Sequence, residues 1–244
     1  MKASPEQQKE LLRLQALDTR VQQLDHTQGA LPQHVALAQL APSVEAVRQR
    51  HTAKTGELED ARTELSRAES DVQVVEARMA RDAARLQQTS SVKDIQALEA
   101  EVDALKKRRS DLEDIELAVM ERIEGIEAEL ADITRERDDL AGKVAELEAA
   151  KGEEQAAIEK QRAAASADRT AIAATISEDL LALYEKQRAR YGVGAALLVR
   201  GVSMGSNVKL TESDLQGIRA SAPDDVVLCP DSGAILVRNE ESGL

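Results

Sequence analysis

Residues 58–68 read LEDARTELSRA, and their apolar side chains return at alternating steps of three and four residues. The same spacing continues in both directions and, after a break at residues 89–91, through a second long segment. Such steps are typical of the a and d positions at the seam of a left-handed coiled coil. The first set of seam positions is Leu37, Leu40, Val44, Val47, His51, Lys54, Leu58, Ala61, Leu65, Ala68, Val72, Val75, Met79, Asp82 and Leu86. The second set is Ile95, Leu98, Val102, Leu105, Arg109, Leu112, Glu116, Val119, Ile123, Ile126, Leu130, Ile133, Arg137, Leu140, Val144 and Leu147.

The break between the two segments predicts a tight turn. Residues 89–94, TSSVKD, are poor helix formers and interrupt the seven-residue phase. A short connection makes neighbouring helices pack back on each other, so we expect a long antiparallel coiled-coil hairpin. At about 1.5 Å per residue, each arm would be on the order of 80 Å long.

A turn near Ser91 also predicts which residues face each other. Opposed positions in an antiparallel pair would have residue numbers that sum to about 182. The predicted ion pairs are Arg137 with Glu45, Glu116 with Arg67, and Lys54 with Glu127 or Glu129. Because polar seam residues specify register, this charge matching favours an intramolecular hairpin over a parallel dimer.

A short helix is predicted before the hairpin, where Ser4 is a capping residue, Pro5 suits a first helical position and Gln7 completes a capping box. Pro42 predicts a kink or a restart early in the first arm, because proline lacks a backbone N–H. The alanine-rich residues around 163–174 are compatible with either a flexible joint or close helix packing.

Composition excludes several classes of function. The 244 residues include 45 acidic and 32 basic side chains, a formal charge of −13 that argues against general duplex DNA binding. No apolar run reaches the length of about 20 residues that spans a bilayer, and the first residues do not form a signal peptide. We therefore expect a cytoplasmic protein without membrane insertion.

The period changes in the last part of the chain. Ser177 is the predicted cap of a helix, and short β-type runs follow at 196–199, 226–228 and 235–237, with a helical turn capped by Thr211 between them. We therefore predict a mainly α protein. Residues 1–176 form the helical part, with the turn near 89–94, and residues 177–244 form a small α+β domain.

Two tail segments have the spacing of zinc knuckles, in which two ligands are separated by two residues. The positions are Ser203 and Ser206 in the first segment and Cys229 and Ser232 in the second. A serine hydroxyl is a poor ligand for zinc at neutral pH, so we expect neither a bound metal nor another cofactor. Cys229 is the only cysteine, and the three histidines lie in the helical part, so no residues are predicted to be catalytic.

The chain resembles a bacterial family of long helical-hairpin proteins that end in a four-cysteine zinc ribbon. The resemblance covers nearly the whole length and includes LLRLQALD at 11–18, IQALEAE at 95–101, LYEK at 183–186, and the tail. It implies that the family's zinc ligands map onto Ser203, Ser206, Cys229 and Ser232, which makes this tail a degenerate zinc-ribbon-like domain. Members of the family are described as adaptor or chaperone-like proteins that bind a sigma factor, secretion components or messenger RNA.

These observations predict a non-catalytic adaptor that binds protein partners through the hairpin and the ribbon-like domain. Candidate partner contacts at the hairpin turn are Ser90, Ser91, Lys93 and Asp94. The alternative is an RNA-binding or regulatory protein that acts through the ribbon-like domain. Its candidate phosphate contacts are Lys186, Arg188, Arg190, Arg200, Lys209 and Arg219. Whether the hairpin dimerises is left open.

Overall fold

The computed structural model describes residues 1–244 and divides the chain into two compact units. The hairpin unit comprises residues 33–149, and the terminal unit comprises residues 1–32 together with residues 150–244. The helices are α1 (Pro5–Gly29), α2 (Pro32–Leu86), α3 (Val92–Ala173), α4 (Glu178–Tyr191) and α5 (Glu212–Ala220). The strands are β1 (Ala195–Val199), β2 (Val202–Ser203), β3 (Val208–Lys209), β4 (Val227–Leu228) and β5 (Ile235–Val237). No helix has a run of apolar residues that would let it cross a membrane.

The hairpin unit confirms the predicted seam. Residues 87–91 join α2 to α3, and every predicted seam position except Val44 and Arg137 is buried or half-buried. Leu58, Ala61 and Ile126 form the cluster at its middle. The mainly α fold with an antiparallel helical hairpin is therefore confirmed.

The predicted ion pairs are confirmed in part. Lys54 Nζ lies 2.8 Å from a carboxylate oxygen of Glu129, as predicted. Arg137 is exposed and binds its neighbour Asp138, while Glu45 binds Arg48 on its own helix, so the predicted pair Arg137–Glu45 is wrong.

The physical reason for this error is the register. The ion pairs that cross this part of the hairpin are Arg50–Glu136, Lys54–Glu129, Arg62–Glu127 and Glu64–Arg122. The residue numbers in these pairs sum to between 183 and 189, slightly above the prediction. Nor do Arg67 and Glu116 form an ion pair.

In the terminal unit, α1 packs on the end of α3. Ser4 caps α1 by accepting a hydrogen bond from the Gln7 N–H at 3.3 Å. Leu24 and Leu31 enclose Ile158 in a small apolar cluster. α3 is continuous through residues 163–167, and Ala165 is buried, so the alanine-rich sequence serves close packing rather than a joint.

The sequence predicts a kink or a restart at Pro42, and the restart does not occur, because α2 runs through Pro42. Pro42 lies almost three turns beyond the helix N-terminus. The seam on either side of it, at Leu40 and Val47, remains at least half-buried. Packing at the seam compensates for the lost backbone hydrogen bond.

The C-terminal residues form a five-stranded sheet in the order β3-β2-β1-β5-β4. β1 pairs in parallel with β5, and the other neighbours are antiparallel. The three predicted β-type runs are confirmed as β1, β4 and β5, whereas the two-residue strands β2 and β3 were not predicted. α5 begins with the predicted cap, since Thr211 and Asp214 form a capping box. Ser177 precedes α4, but its side chain makes no capping hydrogen bond.

The apolar core of the terminal unit lies between the sheet and two helices. Buried residues of α1 and α4 form one cluster with residues of β1 and β5. The helix residues are Leu11, Leu14, Leu180 and Tyr184, and the strand residues are Ala195, Ile235 and Val237. A second cluster, formed by Leu198, Leu210, Leu215, Ile218, Cys229 and Leu236, packs α5 on the other face.

Candidate functional site

A buried polar network joins α1, α3 and α4 in the terminal unit. The Tyr184 hydroxyl donates a hydrogen bond to Asp18 Oδ2 at 2.7 Å, and Arg169 Nε donates to Asp18 Oδ1 at 2.8 Å. Arg188 Nε lies 3.4 Å from the same carboxylate, and both arginines also bind Glu185. Asp18 is only 5% exposed, so its charge is compensated by two arginines and one hydroxyl.

The same network holds the start of the sheet. Gln15 Oε1 accepts a hydrogen bond from the backbone N–H of Gly194 at 2.7 Å and a longer one from the Tyr184 hydroxyl at 3.3 Å. Gly194 packs so closely on Tyr184 that a Cβ there would lie 2.5 Å from the ring. The network therefore sets the position at which the chain leaves α4 and enters β1.

Burial and the charged neighbours shift the acid–base properties of this network. Burial, followed by the hydrogen bond to Asp18, raises the pKa of the Tyr184 hydroxyl above its ordinary value. The hydrogen bond to Asp18 raises the pKa of the Arg169 guanidinium. Tyrosine is therefore neutral and arginine charged throughout the physiological range, and the network has the properties of a structural element.

Sequence reasoning missed the network, although both of its main segments were noticed as parts of the family resemblance. A signal was present in α1, where Gln15 and Asp18 continue the apolar face of Leu11 and Leu14 at a spacing of three to four residues. A polar residue on an apolar face requires a buried partner. The sequence did not indicate which residue would supply that partner.

The structure brings three of the four positions with knuckle spacing, Ser203, Cys229 and Ser232, close together. Ser203 ends β2 and is fully buried, and Cys229 follows β4 and is 2% exposed. The Ser232 N–H donates a hydrogen bond to Cys229 Sγ at 3.5 Å. A Cβ on Gly205, the neighbour of Ser206, would lie 3.1 Å from Ser232 Oγ.

The surroundings of Cys229 favour its thiolate. Burial raises the pKa of the thiol, but the polar groups of Ser203, Asp231 and Ser232 around the sulfur outweigh burial, and the net pKa is lowered. Ser203 Oγ is buried and makes no hydrogen bond. The hydrogen bond to the sulfur comes from the backbone N–H of Ser232.

These residues do not fit a zinc ion. A structural zinc site uses four cysteine or histidine ligands, and three of the four positions here are serine. No group of three or more histidine, cysteine, aspartate or glutamate side chains with the geometry of a metal site occurs in residues 1–244.

The candidate RNA contacts lie in different surroundings. Arg188 is half-buried and bound by Glu185 and Asp18, and Arg219 is bound by Glu212. The Arg190 guanidinium stacks over the Tyr191 ring at 5.1 Å. All of the candidates except Arg188 are exposed, including Lys186, Arg200 and Lys209.

The hairpin turn is ordered by local hydrogen bonds. Ser91 Oγ accepts from the Asp94 N–H at 3.4 Å, and Thr89 Oγ1 accepts from the Ser91 N–H at 3.4 Å. Ser90 and Lys93 are exposed. Beside the turn, α2 and α3 leave an open cavity of about 480 Å³ whose lining includes Asp94.

The fold and this arrangement define a class of protein: a helical hairpin whose ends are joined to a small α+β domain. Residues 14–192 match the CT398-like coiled coil hairpin domain family, and the chain belongs to that family. An uncharacterized protein of Mycobacterium tuberculosis is 34% identical over 241 residues, which cover 98% of each chain.

Solved structures give the same result for the fold. A protein from Mycobacterium smegmatis has a TM-score of 0.86 and 32% identity, with 98% of this chain and all of that chain covered. CT398 from Chlamydia trachomatis has a TM-score of 0.65 at 19% identity over 96% of this chain and 98% of that chain. The second likeness is one of fold alone.

Proposed function

We propose that this protein is a cytoplasmic, non-catalytic adaptor that binds protein partners through its hairpin and its C-terminal domain. The observation that supports this proposal is the distribution of burial in the hairpin unit. Eight side chains are fully buried between residues 33 and 149, and all eight are at seam positions: Val47, Leu58, Ala61, Ala68, Asp82, Leu112, Val119 and Ile126.

A seam of this kind uses one stripe of each helix. All other faces of both helices are left to solvent, so the unit offers a large surface for contact and no enclosed volume for a reaction. Long helical surfaces recognise partner helices through side chains that recur every three to four residues. Protein binding is therefore the function that this unit supports best.

The C-terminal domain is, in this proposal, a degenerate zinc ribbon. Two turns with knuckle spacing face each other, and the Cys229 thiol, Ser203 and Ser232 occupy the volume between them. Two apolar clusters, one on each face of the sheet, supply the stability that a metal gives to small ribbons.

The adaptor proposal is tested with a photo-reactive amino acid at Val92, which is 70% exposed next to the hairpin turn. The full chain is expressed in its native cells, irradiated and isolated after nuclease treatment, and the cross-linked species are sequenced by mass spectrometry. We expect one dominant protein partner. Cross-links to RNA alone, or none from Val92 or from other exposed hairpin positions, would contradict the proposal.

A second measurement tests the non-catalytic part of the proposal. Replacement of Cys229 by alanine removes the one thiol of the chain. If the protein is an adaptor, the Cys229→Ala variant retains its binding to the cross-linked partner and its cellular function. Loss of function in a folded variant that still binds its partner would indicate chemistry at the sulfur.

A further inference from the structure

One side of α2 carries three arginines near the hairpin turn. These are Arg78, Arg81 and Arg85, and Val74 precedes them on the same side of the helix, since the steps are four, three and four residues. All four are exposed. Over these three turns the stripe is about 17 Å long.

The facing part of α3 has small side chains and one acidic residue. Arg78 crosses the hairpin to bind Glu101, which places Glu101 beside the arginine stripe. Ala97 and Ala104 precede and follow Glu101 by about one turn and are both exposed. Arg85, Ala97 and Glu101 of this surface also line the open cavity of about 480 Å³ near the turn, together with Gln88, Thr89, Asp94 and Leu98. We call this surface, formed by Arg78, Arg81, Arg85, Ala97, Glu101 and Ala104, the distal groove.

The balance of basic and acidic side chains differs between this end of the hairpin and the rest. Residues 71–110 contain eight basic and seven acidic side chains, whereas residues 33–70 and 111–149 contain nine basic and twenty acidic ones. In a chain with a formal charge of −13, the distal residues are the part of the hairpin where the cations outnumber the anions.

Fewer of the basic side chains in residues 71–110 form close ion pairs than in the rest of the hairpin. Arg81 Nε donates only to the backbone oxygen of Ala77, and Lys93, Lys107 and Arg108 form no ion pair. Arg85 approaches the buried Asp82 at 3.7 Å, and Asp82 Oδ2 has no hydrogen bond. In the rest of the hairpin, most basic side chains bind a carboxylate within 3 Å: Arg48, Arg50, Lys54, Arg62, Arg122, Arg135 and Arg137.

We propose that the distal groove binds an acidic α-helix of a partner protein. This inference rests on the proposed adaptor function and names the chemistry of its partner. A helix that lies against Ala97 and Ala104 can approach closely, because alanine leaves the groove shallow. Carboxylates spaced three and four residues apart on that helix match the spacing of Arg78, Arg81 and Arg85.

The groove does not have the features of an RNA site. Single-stranded RNA is held by stacking of bases on aromatic rings, and the hairpin unit contains no Phe, Trp or Tyr. A partner helix that packs on this side of α2 and α3 would instead complete a three-helix bundle, which is a common way for helices to bury alanine-lined faces.

The test places a photo-reactive amino acid in the full chain at Ala104, within the groove, or at Lys106. Lys106 is exposed at the same level of α3, but two residues on it lies about 160° from Ala104, on the opposite side of the helix. Cross-linked peptides are sequenced from native cells. The expected result is a cross-link from Ala104, and not from Lys106, to a helical segment in which acidic residues outnumber basic ones.

Charge reversal provides the quantitative part. The segment found at Ala104 is synthesised and titrated against the wild-type chain, Arg81→Glu and Lys106→Glu, two variants with the same change of charge. We expect Arg81→Glu to weaken binding about tenfold and Lys106→Glu to change it less than about twofold. Equal effects of the two variants would overturn the inference, since they would indicate net charge rather than the groove.

Failure of this inference differs from failure of the adaptor proposal. A protein partner that cross-links at Val92 but not at Ala104, or one whose contact segment is basic, contradicts the groove and leaves the adaptor intact. RNA at Ala104 contradicts the groove as a protein site. The absence of any cross-link to protein from Val92, Ala104 and other exposed hairpin positions contradicts both.

Discussion

Tyr184 and Asp18 are 166 residues apart in the chain, yet the tyrosine hydroxyl donates to the aspartate at 2.7 Å inside the terminal unit. The bond links a residue of α1 to a residue of α4, and both are buried. It therefore holds together the two parts of the terminal unit that the hairpin separates in sequence.

Removal of this hydroxyl should destabilise the terminal unit. Tyr184→Phe keeps the ring but leaves the buried carboxylate with one donor fewer, so we expect the free energy of unfolding to fall by about 1.5–3 kcal/mol. Urea denaturation followed by circular dichroism measures the change. Tyr191→Phe is the matched control, because Tyr191 is 47% exposed, and its effect should lie within about 0.5 kcal/mol. Equal effects of the two variants would show that the buried hydrogen bond is not stabilising.

The close approach of Gly194 to Tyr184 gives a second prediction. A Cβ at position 194 would lie 2.5 Å from the ring and 2.8 Å from the carbonyl oxygen of Tyr184, so Gly194→Ala should cost about 1–3 kcal/mol. At Gly217 in α5 a Cβ meets no atom within 4 Å, and Gly217→Ala should instead stabilise by about 0.5–1 kcal/mol. Thermal melting of both variants tests the opposite signs, and a tolerated Gly194→Ala would mean that α4 and β1 do not pack as closely as described.

The ion pair between Lys54 and Glu129 tests the register of the hairpin. Because both side chains are partly exposed, with exposed fractions of 27% and 60%, we expect Lys54→Glu to cost no more than about 1 kcal/mol. The added substitution Glu129→Lys should restore part of that loss. Glu127→Lys should not, since Glu127 binds Arg62. Chemical denaturation of the single and double variants gives the coupling energy, and rescue by Glu127→Lys would indicate a different register.

The lowered pKa of the Cys229 thiol predicts that the stability of the protein depends on pH. The polar groups around the sulfur outweigh burial and hold the pKa of the folded thiol below its ordinary value of 9.0, so the thiolate favours the folded state. This contribution is present above the unfolded pKa and is lost as the pH falls through the folded pKa. The stability of the wild type relative to Cys229→Ala should therefore rise as the pH increases towards 9 and then level off. A difference that stays constant or falls over this range would contradict the shift.

Restoration of cysteines tests the degenerate-ribbon interpretation. If the two knuckle turns keep their geometry, a variant with Ser203→Cys, Ser206→Cys and Ser232→Cys should bind about one zinc ion per chain, with the tetrahedral thiolate set that zinc prefers. The wild type should bind none under the same conditions. Metal analysis after gel filtration measures the ratio, and the triple variant carrying Cys229→Ala is the control. A folded triple variant without zinc would show that the turns are not knuckles.

The seam of the hairpin was predictable because the coiled coil has a simple period. All predicted seam positions are buried or half-buried apart from Val44 and Arg137, including polar ones such as His51, Lys54 and Asp82. The error at Arg137 came from extrapolating one turn position along many residues, since a shift of a few residues moves an ion pair to other partners. An exposed arginine then binds whichever carboxylate is nearest, here Asp138.

Long-range polar contacts were the part that periodicity did not predict. Gln15 and Asp18 lie on the buried face of α1, but their partners Tyr184, Arg169 and Gly194 are determined by tertiary packing. The two-residue strands β2 and β3 are also too short to have a period of their own. The position of the distal groove could not be predicted either. It depends on which basic side chains form ion pairs with carboxylates, and the register of the two helices determines those pairs.

The division of the chain into units has a consequence for synthesis on the ribosome. The hairpin unit is one continuous stretch, so every seam residue between 33 and 149 has its partner as soon as that stretch has been translated. Leu11 and Leu14 of α1, in contrast, are buried against Tyr184 and Ile235, which are translated only after the whole hairpin. The apolar surface of α1 therefore leaves the ribosome before the hairpin and is covered after it, and during that interval the nascent chain exposes a face that a chaperone can recognise.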